Sequence, residues 1–250
     1  MKKIIVTLMS LVFTLHALEV YATFSVEAKK SANLAFYSGG IVDEVYVDVS
    51  ESVTKSQKLA KLQNDDLKAA LAIAKANLRS AEVAVKFAKK DYERQLKIKS
   101  VIDVAMFDKY AFAYENAKTA LAQAKANVAY QKSLLDKTTL HAPFDGVIFE
   151  KDLEVGDVVS GMMLKTVLKI QSKNERKLVL EFDQKYFQNV KLGDSFRYTI
   201  DGDTKTYTGH ISKIYPLANS ANRKIKAEVL TQEHLVGLFG DGYILTDKKE

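Results

Sequence analysis

Four histidines, 31 acidic residues and no cysteine bound the chemistry that this 250-residue chain can carry. Without cysteine there is no thiol nucleophile, no thiolate zinc site and no disulfide framework, and no residue at which a bacterial lipoprotein could be lipidated. His16, His141, His210 and His234 lie far apart, and none belongs to an H-E-x-x-H or similar ligand spacing. The carboxylate pair Asp65-Asp66 falls at an expected helix start, where acidic groups cap free N–H donors and offset the helix dipole. Asp145 sits in a turn, and Asp201-Gly202-Asp203 reads as a hairpin turn between strands. Acid, base and nucleophile converge nowhere. The expectation is an interaction protein and not an enzyme, with no metal and no cofactor. The net charge of +6 comes from 37 basic residues interspersed with the acidic ones. A nucleic-acid binder clusters its cations and interleaves them with aromatic residues, so nucleic acid is not an expected partner.

If the chain does no bond chemistry, its elements must serve to hold something in place. Lys2 and Lys3 precede an apolar stretch from Ile4 to Leu15, and Val20-Tyr21-Ala22 offers small residues of the kind a signal peptidase reads. The expectation is a leader cleaved after Ala22 and a periplasmic protein. Retention of the segment as an anchor is the alternative, although the apolar stretch is shorter than the roughly 20 residues that span a bilayer.

Glycine and proline punctuate regular structure. No glycine occurs from Ile41 to Asp145 and no proline precedes Pro143, whereas glycines recur at short intervals after that. Within the glycine-free block, Leu67, Leu71, Ala74, Leu78, Ala81, Val85, Ala88 and Tyr92 alternate spacings of four and three. Phe107, Tyr110, Tyr114, Ala117, Leu121, Ala124, Val128, Gln131 and Leu135 continue the rule with one polar interruption. Heptad spacing on two segments, separated by the short reversal Lys99–Asp103, predicts an antiparallel coiled-coil hairpin. Asn64 or Asp65 can cap the first arm and Asp103 the second. Neither arm shows a second apolar face wide enough to pack on a third element. Short β-branched runs flank the block. Gly40-Ile41-Val42 with Val45 and Val47 stands before it, and Gly146-Val147-Ile148 followed by Val155-Gly156-Asp157-Val158-Val159 stands after it. They echo one another as two halves of one β domain split by an insertion.

These residues resemble the HlyD/AcrA-type periplasmic adaptors, or membrane fusion proteins, in which a lipoyl-like β domain is split by a helical hairpin and a β-barrel domain follows. Ala142-Pro143-Phe144-Asp145-Gly146-Val147 matches the second half-motif, with Gly156 continuing it and Gly40 opening the first half. In the first half Ser50 and Ser56 stand where glycine is usual. The resemblance implies an α+β fold divided as follows: 1–22 signal peptide, 23–63 N-terminal strand and first half-motif, 64–137 hairpin, 138–172 second half-motif, and 173–250 β-barrel. Tyr207–Pro216 resembles a barrel strand of the family, and Leu238–Gly242 resembles its closing turn.

Adaptors that dock on TolC-type outer-membrane channels carry Arg, three residues, Leu, six residues and Ser near the hairpin tip. Here Arg94, Ile98 and Ala105 stand at those spacings, with Val101 and Ile102 in the reversal between them. The resemblance thus implies three partners: an inner-membrane efflux transporter, a TolC-type channel, and further copies of the chain in a ring, of six in the family. The short hairpin and the expected lack of a transmembrane anchor favour a proton-driven RND transporter over an ATP-driven ABC one. A periplasmic coiled-coil scaffold is the alternative outside transport.

Overall fold

The computed structural model describes residues 17–247 apart from 162, 164 and 233. Residues 1–16, which carry most of the expected leader, lie outside the described residues. β1 (Ala17–Ala28) is followed by β2 (Ser31–Leu34), β3 (Gly40–Val45), β4 (Ser52–Val53) and β5 (Lys58–Leu62). Two helices come next, α1 (Asp65–Leu96) and α2 (Val104–Asp136). The chain then forms β6 (Thr139–His141), β7 (Gly146–Lys151), β8 (Val158–Val159) and β9 (Leu168–Gln171). It ends with β10 (Arg176–Asp183), β11 (Ser195–Ile200), β12 (Tyr207–Asn219), β13 (Lys224–Thr231) and β14 (Phe239–Asp247). The chain divides into two compact units, one made of its two ends and the other of residues 32–170.

The first unit is a closed barrel in the order β1-β10-β13-β12-β11-β14. Strand side chains alternate between faces. Val20, Ala22, Phe24 and Val26 of β1 therefore point inward to meet Leu178, Leu180 and Phe182 of β10 and Phe196 and Tyr198 of β11. Phe24 meets the Phe196 and Tyr198 rings edge-on, with centroids 5.8 and 5.2 Å away. Two expectations bear on β1. A boundary after Ala22 would remove half of β1, including Val20 and Ala22, both wholly buried and paired with β14 through Val20–Ile244 and Ala22–Gly242. β1 also belongs to the barrel, not to the split β domain, so the barrel draws on both ends of the chain. Of Leu238–Gly242, expected as a closing turn, Phe239–Gly242 is the start of β14 and pairs with β1 and β11.

In the second unit the sheets β2-β9-β7-β4 and β6-β5-β3-β8 enclose a core of Phe36, Val42, Leu59, Leu62, Ile148, Leu168 and Ile170. The internal echo has a geometric counterpart. Gly146 lies 106 positions after Gly40 and Gly156 lies 106 after Ser50. β3 pairs with β8, while β7 pairs with β4, so each half closes on the other. The equivalent turns are alike in detail. In Asp48–Glu51 the Asp48 N–H donates to the Glu51 carboxylate at 3.0 Å. In Glu154–Asp157 the Glu154 N–H donates to the Asp157 carboxylate at 2.8 Å. The third residue of each has positive φ, 70° at Ser50 and 94° at Gly156.

α1 and α2 run in opposite directions. At one end the Asn64 Nδ2–H donates to Thr138 Oγ1 at 2.9 Å, and at the other Tyr92 meets Phe107. Every expected heptad residue from Leu67 to Tyr92 and from Phe107 to Leu135 is half-buried or buried. Asp103 caps α2, its Oδ1 accepting from the N–H groups of Ala105 and Met106 at 2.8 and 3.3 Å. Asn64 holds the N-cap position of α1, but its side chain makes no cap hydrogen bond and is used on Thr138 instead. The outer surface of α1 departs from expectation. Ala69, Ile73, Ala76, Ser80, Val83 and Phe87 recur at spacings of three and four, with Ala84 beside them, and all are exposed. They form a second apolar stripe on the side away from α2.

Candidate docking site at the tip of the helix pair

The end of the helix pair is built from the last turn of α1, the connection 97–103 and the first turn of α2. Beneath it Tyr92 stacks on Tyr114 (5.5 Å, 20°) and tilts against Phe107 (5.7 Å, 43°). Lys99 Nζ lies over the Phe107 ring, 4.5 Å from its centroid. Phe107 is buried, so the aromatic cluster welds the two helices together just below the connection. Val101 N–H donates to the Ile98 carbonyl at 3.0 Å, and Phe107 N–H to the Asp103 carbonyl at 3.1 Å. The tip is therefore a hydrogen-bonded structure on a packed base.

On that base stands an apolar cap. Val101 is 79% exposed and Val104 73%, joined by Leu96, Ile98 and Met106, each exposed to about half. An exposed apolar cluster of this kind marks an interaction surface. Burying each such side chain against a partner is worth about 1.5–3 kcal/mol. Lys97 and Lys99 rim it with positive charge.

The expected tip residues fall as follows. Ile98 and Val101 lie in the cap. Ile102 is half-buried and supports the connection. Ala105 exposes its methyl while its N–H is taken by Asp103. Arg94 is exposed but forms an ion pair with Asp91 one helical turn earlier, so it competes for any partner with a carboxylate of its own helix. Leu96, Val104 and Met106 were not anticipated. Their signal is apolar side chains off the heptad seam, immediately beside the reversal.

The half-motif residues hold up the sandwich. Gly40 and Gly146 open β3 and β7. Phe144 packs against the core, and Asp145 Oδ1 accepts from the Lys55 N–H at 2.6 Å, tying the two halves together. Pro143 is exposed beside it, and Gly156 makes the turn described above. Among the described residues no group of three or more His, Asp or Glu side chains is placed to hold a metal ion. The most strongly perturbed carboxylate is structural. Glu228, on the outer face of β13, accepts from Lys177 Nζ at 2.8 Å and Tyr215 OH at 2.6 Å, with Lys213 Nζ 3.3 Å away. Burial alone would raise its pKa, but these partners outweigh it and hold the carboxyl at about 2.

The described fold is a β-sandwich split by a helix pair and accompanied by a barrel. Residues 30–170 match the family described as CzcB-like, barrel-sandwich hybrid domain, and the chain belongs to this family of membrane fusion proteins, the adaptors of efflux pumps. It is 25% identical over 227 residues to the macrolide export protein MacA of Yersinia pestis, covering 82% of this chain and 60% of MacA. It is 25% identical over 212 residues to the cobalt-zinc-cadmium resistance protein CzcB of Cupriavidus metallidurans, covering 80% of this chain and 39% of CzcB. The chain thus spans no more than 60% of either relative. Among solved structures it is similar in fold to a MacA–MexA chimera bearing the Pseudomonas aeruginosa MexA α-hairpin (TM-score 0.73, 20% identity, 94% of this chain and 84% of the chimera). It is equally similar to the membrane fusion protein Spr0693 of Streptococcus pneumoniae (TM-score 0.73, 21% identity, 92% of this chain and all of that one).

Proposed function

We propose that the chain is a periplasmic adaptor joining an inner-membrane efflux transporter to a TolC-type outer-membrane channel, with the helix pair acting as a projecting coiled-coil hairpin whose tip seats on the channel. The observation that carries this reading is the exposed apolar cap on a rigid aromatic base. A surface of five clustered apolar side chains (Leu96, Ile98, Val101, Val104, Met106) is costly in water and fits a groove between helices of a partner. The tip motif is met by Arg94 and, conservatively, by Ile98, while Ala105 stands in place of serine. Without the hydroxyl, seating would rest on apolar contact more than on hydrogen bonding. An RND-type transporter is the inner-membrane partner we favour, with an ABC-type exporter as the alternative. The names of the relatives point to different cargoes, macrolides and divalent metals, and no cargo is assigned.

A ring of copies fits the outer faces of the helices. Phe87 on α1 and Phe112 on α2, 59% and 66% exposed, are equal steps from the Tyr92–Phe107 contact and so stand at the same height on the pair. When copies stand side by side in one direction, the α1 stripe of one faces α2 of the next. That packing brings Phe87 onto Phe112 and the basic flank of Lys86 and Lys90 beside Glu115 and Asp108. Such a contact is heterologous, and repeated rotation can close it into a ring.

The double substitution Ile98→Asp/Val101→Asp tests the docking role. Both side chains are exposed, so the fold and thermal melting should be unchanged, whereas export in cells lacking the wild-type chain should be lost. Full export by the double variant would sink the tip-docking reading.

A further inference from the structure

The outer surface of the barrel differs from one side to the other. In the strand order β1-β10-β13-β12-β11-β14, the neighbours β1 and β14 stand opposite the neighbours β12 and β13, with β10 and β11 between them. The alternation that turns Val20, Ala22, Phe24 and Val26 inward turns Glu19, Tyr21, Thr23, Ser25 and Glu27 outward, and β14 likewise presents Phe239, Asp241 and Tyr243. Neither β1 nor β14 contains a lysine or an arginine. Phe239 is 62% exposed and Tyr21 50%, and Tyr21 meets the Tyr243 ring edge-on with centroids 5.7 Å apart. The Tyr21 hydroxyl donates to Asp241 Oδ2 at 3.0 Å. Beside these rings lies a hollow of about 470 Å³ floored by Thr23 and Ser25, where the carboxylates of Glu27, Glu181, Asp201 and Asp241 stand against the ammonium of Lys226.

The opposite side is basic. β12 and β13 carry Lys213, Lys224 and Lys226 against the single acidic residue Glu228, and Leu230 is 52% exposed beside them. The strands in between narrow the difference without cancelling it. On β11, Arg197 takes Glu19 at 2.9 Å. On β10, Lys177 lies 2.8 Å from Glu228 and 3.6 Å from Glu27, and Glu181 lies 3.6 and 3.9 Å from Lys226 and Lys224. Asp183 at the end of β10 is paired with Lys185. Asp203 and Lys205 both turn to Tyr207 of β12, one accepting from its hydroxyl and the other lying over its ring. With these partners counted, the β1–β14 side and its hollow keep an excess of carboxylates, and the β12–β13 side keeps an excess of ammonium groups. Exposed tyrosine and phenylalanine are characteristic of protein interfaces, and the charge that complements this face is found on the far side of the same barrel.

We infer that the β1–β14 side of one barrel seats against the β12–β13 side of the barrel of a second copy, covering Tyr21, Phe239 and Tyr243 and placing the neighbour's lysines against Asp201 and Asp241. The contact is heterologous, so it repeats from copy to copy. It rests on the side-by-side arrangement of copies proposed above and not on tip docking, and it names a contact that the helix faces do not make. Phe239 and Leu230 flank the same loop, 232–238, and so belong at one level in copies that stand side by side. In the full chain, which has no cysteine, Phe239→Cys and Leu230→Cys would be placed in separate chains with different tags and co-expressed in cells lacking the wild type. Mild oxidation should link unlike chains and leave like chains unlinked. Adding Glu27→Lys and Asp241→Lys to the Phe239→Cys chain should lower the linked fraction about tenfold, and Lys213→Glu with Lys226→Glu in the Leu230→Cys chain should restore it. Equal linkage of like chains overturns the inference, as does linkage indifferent to charge reversal in chains that melt as the wild type does. Absence of linkage between unlike chains also overturns it. If Phe87→Cys and Phe112→Cys chains still link to each other, only the barrel contact is wrong; if they do not, the side-by-side arrangement falls with it.

Discussion

Ser56 and Ser50 hold φ of 66° and 70°, a left-handed region that costs an L-residue about 1–2 kcal/mol. The matching turns at Glu154–Asp157 and Lys191–Asp194 place glycine there, Gly156 at 94° and Gly193 at 90°. All four turns share one hydrogen-bond pattern, in which the fourth side chain accepts from the first N–H. Departures from the family motif that look like weakened half-motifs in the sequence are thus preserved turns in strained backbone. Replacement of either serine by glycine relieves the strain and gives back about 0.4–1 kcal/mol in unfolded-state entropy, so the net is stabilising. Ser56→Gly should raise the stability of the second unit by about 0.5–1 kcal/mol in urea unfolding, and a loss of stability would contradict the turn assignment. Glu228 makes a prediction about pH. Its folded pKa of about 2 lies below its ordinary value of 4.5. Its contribution is therefore complete above about pH 4.5 and is lost as pH falls towards 2. Glu228→Gln should destabilise the barrel by about 1–3 kcal/mol at pH 7, and the gap from wild type should close near pH 2. A gap that persists at pH 2 would mean that packing, not charge, matters there.

At the scale of elements, α1 and α2 were legible because heptad spacing depends only on residue type at fixed positions, and each residue expected on that spacing is at least half-buried. The outer stripe of α1 was not, because Ala69, Ala76, Ser80 and Ala84 fill four of its seven positions and small residues carry little apolar signal. β1 was hidden for a different reason. Leu18, Val20, Ala22, Phe24 and Val26 alternate as a strand should, but they adjoin the apolar leader, and Val20-Tyr21-Ala22 satisfies a cleavage pattern and a barrel interior equally well. In the folded chain these residues form the barrel strand that pairs with β10 and β14. The outer stripe carries the prediction that copies pack side by side. In this cysteine-free chain, Phe87→Cys combined with Phe112→Cys should give an oxidation-dependent ladder of linked copies in cells, while either substitution alone gives at most dimers. Absence of a ladder from the double variant would remove the proposed arrangement of neighbours.

Across the whole molecule, each β unit has its own packed core, and the sandwich unit carries the helix pair with its apolar tip. The proposed function is one of contact between proteins. Its central claim is that the tip meets an outer-membrane channel. The most direct measurement is photocrosslinking in living cells with a probe at Ile98 or Val101 in the tip and a control probe at Glu82, exposed partway along α1. The account predicts adducts between the tip and an outer-membrane channel protein that are missing from the control. Tip adducts confined to other copies of the chain or to soluble proteins would contradict it.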